Sequence, residues 1–254
     1  RGGWAAGWFA WVAALCALVT GRAVAVPPPA EGWREQIGVT GVSGTVPYTV
    51  RAMINFDEDG AGPRPPYMIA GGSFTVAGNC VAKYIGAWDG SAWRALGAGF
   101  DAPVWAVTIY NGELIAAGEF QFSGAQALSR IARWTNAGWQ PLGTGVNDRV
   151  RALCVYNGVL YAGGDFTSAG GQSASRIAQW NGTSWSALGQ GVSGGAFTSV
   201  CTMVEHQGTL VVGGEFATAG TSAASNLAVW NGSAWSAFSG GGLPARVRAL
   251  TVYN

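Results

Sequence analysis

A phenylalanine followed 14 residues later by a tryptophan, and five residues after that by a second tryptophan, occurs four times in this 254-residue chain. The four sets are Phe74–Trp88–Trp93, Phe120–Trp134–Trp139, Phe166–Trp180–Trp185 and Phe216–Trp230–Trp235. Spacing this constant means that one structural unit is built repeatedly and stacked on its neighbours. Each copy opens on a valine, at Val50, Val104, Val150 and Val200, and a fifth start appears at Val247. From opening Val to Phe is 16 residues in three copies and 24 in the first, while the last connection drifts through 11, 11, 15 and 12.

Each unit reads as four short strands. Strand a alternates in VRALCVY (from Val150), and Asn157-Gly158 then supplies the positive φ angles of a two-residue hairpin. Strand b is an apolar run such as LYAGGDF, whose glycines mark a close backbone approach. A loop of Gly, Ser and Ala leads to strand c (SRIAQW), and Asn-Gly or Asp-Gly turns the chain into strand d (SWSALG). Four antiparallel strands every 46–54 residues make one blade of a β-propeller, so the expected fold is all-β. Blades are expected at 50–103, 104–149, 150–199 and 200–246, with the first strand of a truncated further blade at 247–254. Residues 26–49 read as a linker and a d-like partial blade, because GVTGVSG resembles GQGVSGG in a later unit. As given, the ring does not close, and the expectation is a native protein of about five to eight blades.

The paired tryptophans flank the c–d turn and are expected to meet across that hairpin, wedged between blades. A fully buried Trp contributes roughly 4–6 kcal/mol by area, as an upper bound. The alternative is an aromatic platform for sugars.

Gly (41 residues) and Trp (13) are abundant and only 11% of residues are charged, a mix too aromatic for a disordered chain and suited to short strands and tight turns. Trp4 to Gly21 is apolar and uncharged between Arg1 and Arg22, and Ala23-Val24-Ala25 follows. The pattern reads as a signal peptide over 1–25, cut after Ala25, with a retained membrane anchor as the alternative. The mature chain is then expected to have no membrane span and to be secreted, periplasmic or at the cell surface. Two of the 14 basic residues fall in the leader, which leaves the remainder close to neutral against 13 acids and argues against a nucleic-acid partner. Cys80, Cys154 and Cys201 are an odd number at unmatched repeat positions, and they read as idle thiols.

The double glycines Gly71-Gly72, Gly163-Gly164 and Gly213-Gly214, together with the later tryptophans, make the chain similar to kelch and galactose-oxidase-like propellers. It also resembles the repeats of fungal Rax-type polarity proteins and of secreted bacterial proteins. The resemblance spans Val50 to Asn254, with Ala117-Gly118 as the departing copy. It implies propeller geometry. The copper site of the oxidase members needs two Tyr and two His, and His206 is the only histidine here, so that chemistry is not carried over. The place of His206 before a hairpin turn reads as a turn residue.

Candidate site residues follow from the repeat. Strand b ends in Glu119, Asp165 or Glu215, with Ser73 in the first unit. Eleven residues later strand c begins with Arg130, Arg176 or Asn226, or with Tyr84. That matching suggests cross-strand ion pairs Glu119–Arg130 and Asp165–Arg176. Position two of strand a is Arg51, Arg151 and Arg248, which could ring a channel mouth and bind an anion or acidic glycan, or pair with the strand-b acids. Asp101, Asn147 and Asp148 are the main polar groups of the variable d–a connections. The eight-residue insertion in the first unit carries Asn55, Asp57 and Asp59 at alternate positions before Gly60, half of a calcium loop or else a solvated acidic turn. Asn181 and Asn231 stand in glycosylation sequons that are equally Asn-Gly turns. Apart from that calcium alternative, no cofactor is expected. The leading functional expectation is a non-catalytic binding scaffold with a protein or glycan ligand at the b–c/d–a loop face. A multivalent lectin and an enzyme completed by further blades are the alternatives.

Overall fold

The computed structural model describes residues 41–44 and 48–253. The expected leader, most of segment 26–49 and Asn254 lie outside the described residues. All regular structure among the described residues is β, and none of their helices is long and apolar enough to cross a membrane.

Four antiparallel four-stranded sheets repeat along the chain, each ordered a-b-c-d. Unit 1 has strands a to d at Val50–Phe56, Tyr67–Gly72, Ile85–Trp88 and Trp93–Ala95. Unit 2 has them at Val104–Tyr110, Glu113–Gly118, Ile131–Thr135 and Gly138–Pro141. Unit 3 has Val150–Tyr156, Val159–Gly164, Ile177–Trp180 and Trp185–Ala187. Unit 4 has Ser199–His206, Thr209–Glu215, Leu227–Trp230 and Trp235–Ala237. Strands a of successive units lie against one another, an arrangement compatible with a propeller-like fold.

In units 2, 3 and 4 the a–b turns are the two-residue hairpins that Asn-Gly predicts, while unit 1 carries its insertion there. Asn157 and Gly158 have φ of 48° and 72°, and Gln207 and Gly208 have 49° and 72°. The c–d turns are built differently from the expected Asn-Gly hairpin. Asn181 Oδ1 accepts from the N–H groups of Thr183 and Ser184 (both 2.9 Å), and Asn231 and Asp89 do the same in their units. In these three turns strand pairing stops at the paired tryptophans and the Asn or Asp side chain mimics a turn carbonyl, whereas in unit 2 it continues to Thr135 opposite Gly138. At Asp89 these hydrogen bonds, first that from the Ser91 hydroxyl, hold the carboxyl well below the usual carboxylate range.

The apolar cores sit between units rather than within them. One joins Phe56, Ile69 and Ile85 of unit 1 to Val104, Leu114 and Phe120 of unit 2; the next two join units 2 to 3 and 3 to 4 in the same way. Strand b is therefore buried on both faces, which explains its unbroken apolar run. The second Trp of each pair ties one unit to the last. Indole N–H groups of Trp139, Trp185 and Trp235 donate to the carbonyls of Leu96, Leu142 and Leu188 at 3.0, 2.8 and 2.9 Å. The paired rings meet at centroid distances of 5.6 Å (Trp88–Trp93), 5.2 Å (Trp134–Trp139), 5.4 Å (Trp180–Trp185) and 5.2 Å (Trp230–Trp235). Gly97 and Gly143, each following one of those leucines, lie against Trp134 and Trp180 of the next unit.

The glycine pairs have distinct duties. A Cβ on Gly72, Gly118, Gly164 or Gly214 would stand 1.9–2.1 Å from a carbonyl oxygen of the residue just before that unit's opening valine, or before Val200 in the case of Ser199. The first glycine meets only a side chain, as Gly163 meets Val200, and unit 2 tolerates Ala117 there. Segment 247–253, expected as a strand, has none of the ladder: Val247 N–H bonds the Gly214 carbonyl at 2.9 Å, but regular pairing stops there. In the four units strand a is held by its own strand b.

Two outcomes follow for stability. Trp185→Ala should cost about 3–5 kcal/mol in urea unfolding, and Trp185→Phe, which keeps most of the ring but loses the indole N–H bond to the Leu142 carbonyl, about 1 kcal/mol. Gly164→Ala forces its methyl into the Arg149 carbonyl, so it should destabilise more than Gly163→Ala, with a difference of about 1–3 kcal/mol in the same measurement.

Candidate functional site

Every a–b ladder carries a β-bulge at the second position of strand a. The register slips between Val50 and Ala52, Val104 and Ala106, Val150 and Ala152, and Val200 and Thr202. The bulged residues are Arg51, Trp105, Arg151 and Cys201. A bulge re-aims its side chain and ends regular pairing. Here it sets unlike side chains from neighbouring units side by side at the end bearing the b–c and d–a loops.

Trp105 is the centre of the group. The guanidinium carbons of Arg51, Arg151 and Arg149 lie 3.7, 4.9 and 5.1 Å from its ring centroid. Its indole N–H donates to Glu119 Oε1 at 3.0 Å, which leaves the ring face to the cations. Arg149 Nε stands 2.6 Å from the same Glu119 oxygen, and its Nη1 is 3.7 Å from Asp165. Arg151 Nε donates to Asp165 Oδ1 at 2.8 Å. Burial pushes the Asp165 carboxyl up, but hydrogen bonds from Arg151 and Ser199 outweigh it and leave the group below the ordinary carboxylate range. Burial works against the Arg151 charge too, and its bond to Asp165 more than restores it. Arg51 is lowered, first by partial burial, with the attraction of Glu119 opposing the shift and like-charge repulsion from Arg149 and Arg151 adding to it.

The acids are thus paired, but not with the partners expected from the 11-residue spacing. Arg130 makes no ion pair with Glu119 among the described residues, and Arg176 donates to the backbone carbonyl of Asp165 rather than to its carboxylate. Both arginines, like Tyr84 and Asn226, adopt a positive φ of 65–71° at the start of strand c, which turns their side chains out of cross-strand register. The partner comes instead from 14 residues upstream (Trp105 for Glu119, Arg151 for Asp165), or from just before the next opening valine (Arg149 for Glu119, Arg246 for Glu215). The 14-residue spacing and the Arg-Val pairs at 149–150 and 246–247 are sequence signals that could have located these partners.

The remaining candidates have local duties. Asp101 Oδ1 accepts from the N–H groups of Gln121 and Phe122 at 2.8 and 2.9 Å, and Asn147 Oδ1 does so from Thr167 and Ser168, both at 2.9 Å. Each side chain therefore fastens the d–a connection of one unit to the b–c loop of the next. Asp148 accepts from the Arg149 N–H at 2.7 Å. Arg248 is exposed in the segment after unit 4, with no ion pair among the described residues. In the insertion of unit 1, Asn55 is exposed on strand a. Arg64 meets Asp59 at 3.2 Å and Glu58 at 3.1 Å, and Glu58 also accepts the Trp134 indole N–H at 3.1 Å. Asp57 accepts from the Asp59 N–H at 3.3 Å. No group of three His, Cys, Asp or Glu side chains placed to hold a metal ion occurs among the described residues. Cys80, Cys154 and Cys201 are free thiols, and burial pushes that of Cys154 up to about 11.

No protein-family model and no curated protein matches the chain. Among solved structures it is similar to the computationally designed Ika8 protein, at 13% identity and a TM-score of 0.43, over 78% of this chain and 51% of that one. The chain thus spans about half the length of that protein. It is also similar to the computationally designed Ika4 protein, at 14% identity and a TM-score of 0.39, over 75% of this chain and 96% of that one.

The Asp165 contacts set a pH dependence. A carboxyl depressed in the fold contributes stability that is present above its unfolded value near 4 and is lost as pH falls through the folded one. Asp165→Asn should therefore cost about 2 kcal/mol at pH 7. That gap between wild type and variant should begin to narrow near pH 4 and close only once pH has fallen below the depressed folded value, in denaturant unfolding run across pH.

Proposed function

We propose that the chain is built of β-propeller blades of the kelch or galactose-oxidase-like repeat kind, and that it serves as a binding scaffold outside the cytoplasm. Its recognition surface is the end bearing the b–c and d–a loops. The propeller reading is supported by four like sheets whose strands a adjoin in order and whose cores lie between units. The location rests on the leader pattern at 1–25.

The observation that carries the binding role is the contrast at the bulged position. Backbone geometry is the same in all four units, yet the side chains are Arg51, Trp105, Arg151 and Cys201. A fixed frame presenting different groups at one end is how repeat proteins host recognition. A lectin that used the paired tryptophans would need open ring faces. Trp139, Trp180, Trp185 and Trp230 are instead buried between units, so the scaffold reading is favoured over that form of lectin.

The wild-type chain, screened on arrays of glycans and extracellular proteins, should retain a ligand that Trp105→Ala weakens by about tenfold or more, some 1.4 kcal/mol. Gln207→Ala, in the turn at the opposite end, should leave that affinity unchanged. The reverse pattern would place recognition at the turn end and sink the proposal.

A further inference from the structure

Of the three arginines around Trp105, one has no carboxylate within ion-pair distance among the described residues. Units 2, 3 and 4 each end strand b in an acid, and each acid is held by neighbouring arginines or by Ser199: Glu119 by Arg149, Asp165 by Arg151 and Ser199, Glu215 by Arg246. Unit 1 breaks the rule twice. Its strand-b position is Ser73, which accepts from the Thr49 N–H at 3.0 Å, and the residue before the opening valine of unit 2 is Pro103, which can donate nothing. Arg51 therefore makes no ion pair among the described residues. Its guanidinium lies 3.7 Å from the centroid of Trp105, and the residue is exposed.

Three guanidinium groups thus share two carboxylates, with the surplus charge on the member that is pre-positioned by stacking. A guanidinium held flat on an indole has lost rotamer freedom before any ligand arrives, while its N–H edge stays free for a planar or tetrahedral oxyanion. We infer that Arg51, stacked on Trp105 and standing where the repeat elsewhere supplies its own acid, is an oxyanion-binding site for a ligand bearing a carboxylate or a sulfate. The inference rests on the reading of the loop end as the recognition surface and names the chemistry recognised there. Arg149 and Arg151 add long-range attraction, with their charges already facing Glu119 and Asp165.

The test is titration of the full chain with glucuronate, inorganic sulfate and glucose, followed by NMR chemical shifts and indole fluorescence. Glucuronate, sulfate or both should bind in the millimolar range, more weakly as salt is raised, while glucose should not bind. Arg51→Ala should weaken the binding at least fivefold. Ser73→Asp, which gives unit 1 the acid found in unit 3, should weaken it as much while leaving Arg51 in place and the thermal midpoint unlowered. This second variant keeps the test decisive if Arg51→Ala perturbs the fold. Binding of neither anion, or equal binding by wild type and Ser73→Asp, would overturn the inference. An array ligand that survives both variants would leave the scaffold reading standing without the oxyanion site. Anion binding lost in both variants, with no array ligand dependent on Trp105, would do the opposite.

Discussion

At the second glycine of each strand b, the absence of a Cβ lets a neighbouring carbonyl oxygen approach to a place no side chain could share. Around Gly164 that oxygen belongs to Arg149, and the Asp165 N–H then bonds it at 2.9 Å. The same contact recurs as Ser73 to Thr49 and Glu119 to Pro103. Bringing the start of strand a this close uses up a residue in the ladder, and the surplus appears as the bulge at position two. The loop-end cluster is therefore a consequence of a glycine. What each unit presents there is set by one further residue type, because the frame has already fixed where it stands.

Cohesion lies almost wholly between units. A single sheet has two apolar faces and cannot bury either alone, so each core is shared by two consecutive units. The tryptophans fit this demand in two ways. Their rings fill the gap between sheets, and the second indole of each later pair gives a leucine carbonyl of the preceding unit a second donor, beside the glycine N–H three residues on. Asp101 and Asn147 repeat the device in the loops with a side-chain acceptor in place of an indole donor. Most polar groups that a sequence reader would set aside for ligands are in fact used to join one unit to the next.

The parts legible in the sequence were those that constant spacing encodes. Phe to Trp to Trp at fixed separations located the strands, and Asn157-Gly158 specified its hairpin through backbone sterics alone. The ion-pair partners were legible only as alternatives, since the strand-b acids could pair with the strand-c arginines or with the strand-a arginines, as Asp165 does with Arg151. Two spacings, 11 and 14, connect the strand-b acid to a basic or polar residue, and only the backbone conformation chooses between them. The positive φ at Arg130 and Arg176 disqualifies the first, and neither residue is of a type that announces such a conformation. The Asp57 and Asp59 half-loop was ambiguous for a related reason: Arg64, which meets Asp59 and Glu58, lies in the insertion and so has no counterpart in the other units.

Repetition also explains why a departure from it is informative. A residue occurring once per unit answers to a requirement of the frame, which every unit shares. Ser73 in place of an acid and Pro103 in place of a donor break two frame positions next to one another, and both breaks fall around Arg51. Had Ser73 been an acid as in unit 3, the guanidinium would be neutralised within the fold, as Arg151 is by Asp165 at 2.8 Å. Indole stacking holds the charge in place without cancelling it, because the ring offers a quadrupole and no formal charge. Such a group is positioned, only partly desolvated and still cationic, a combination that the rest of the repeat consistently avoids.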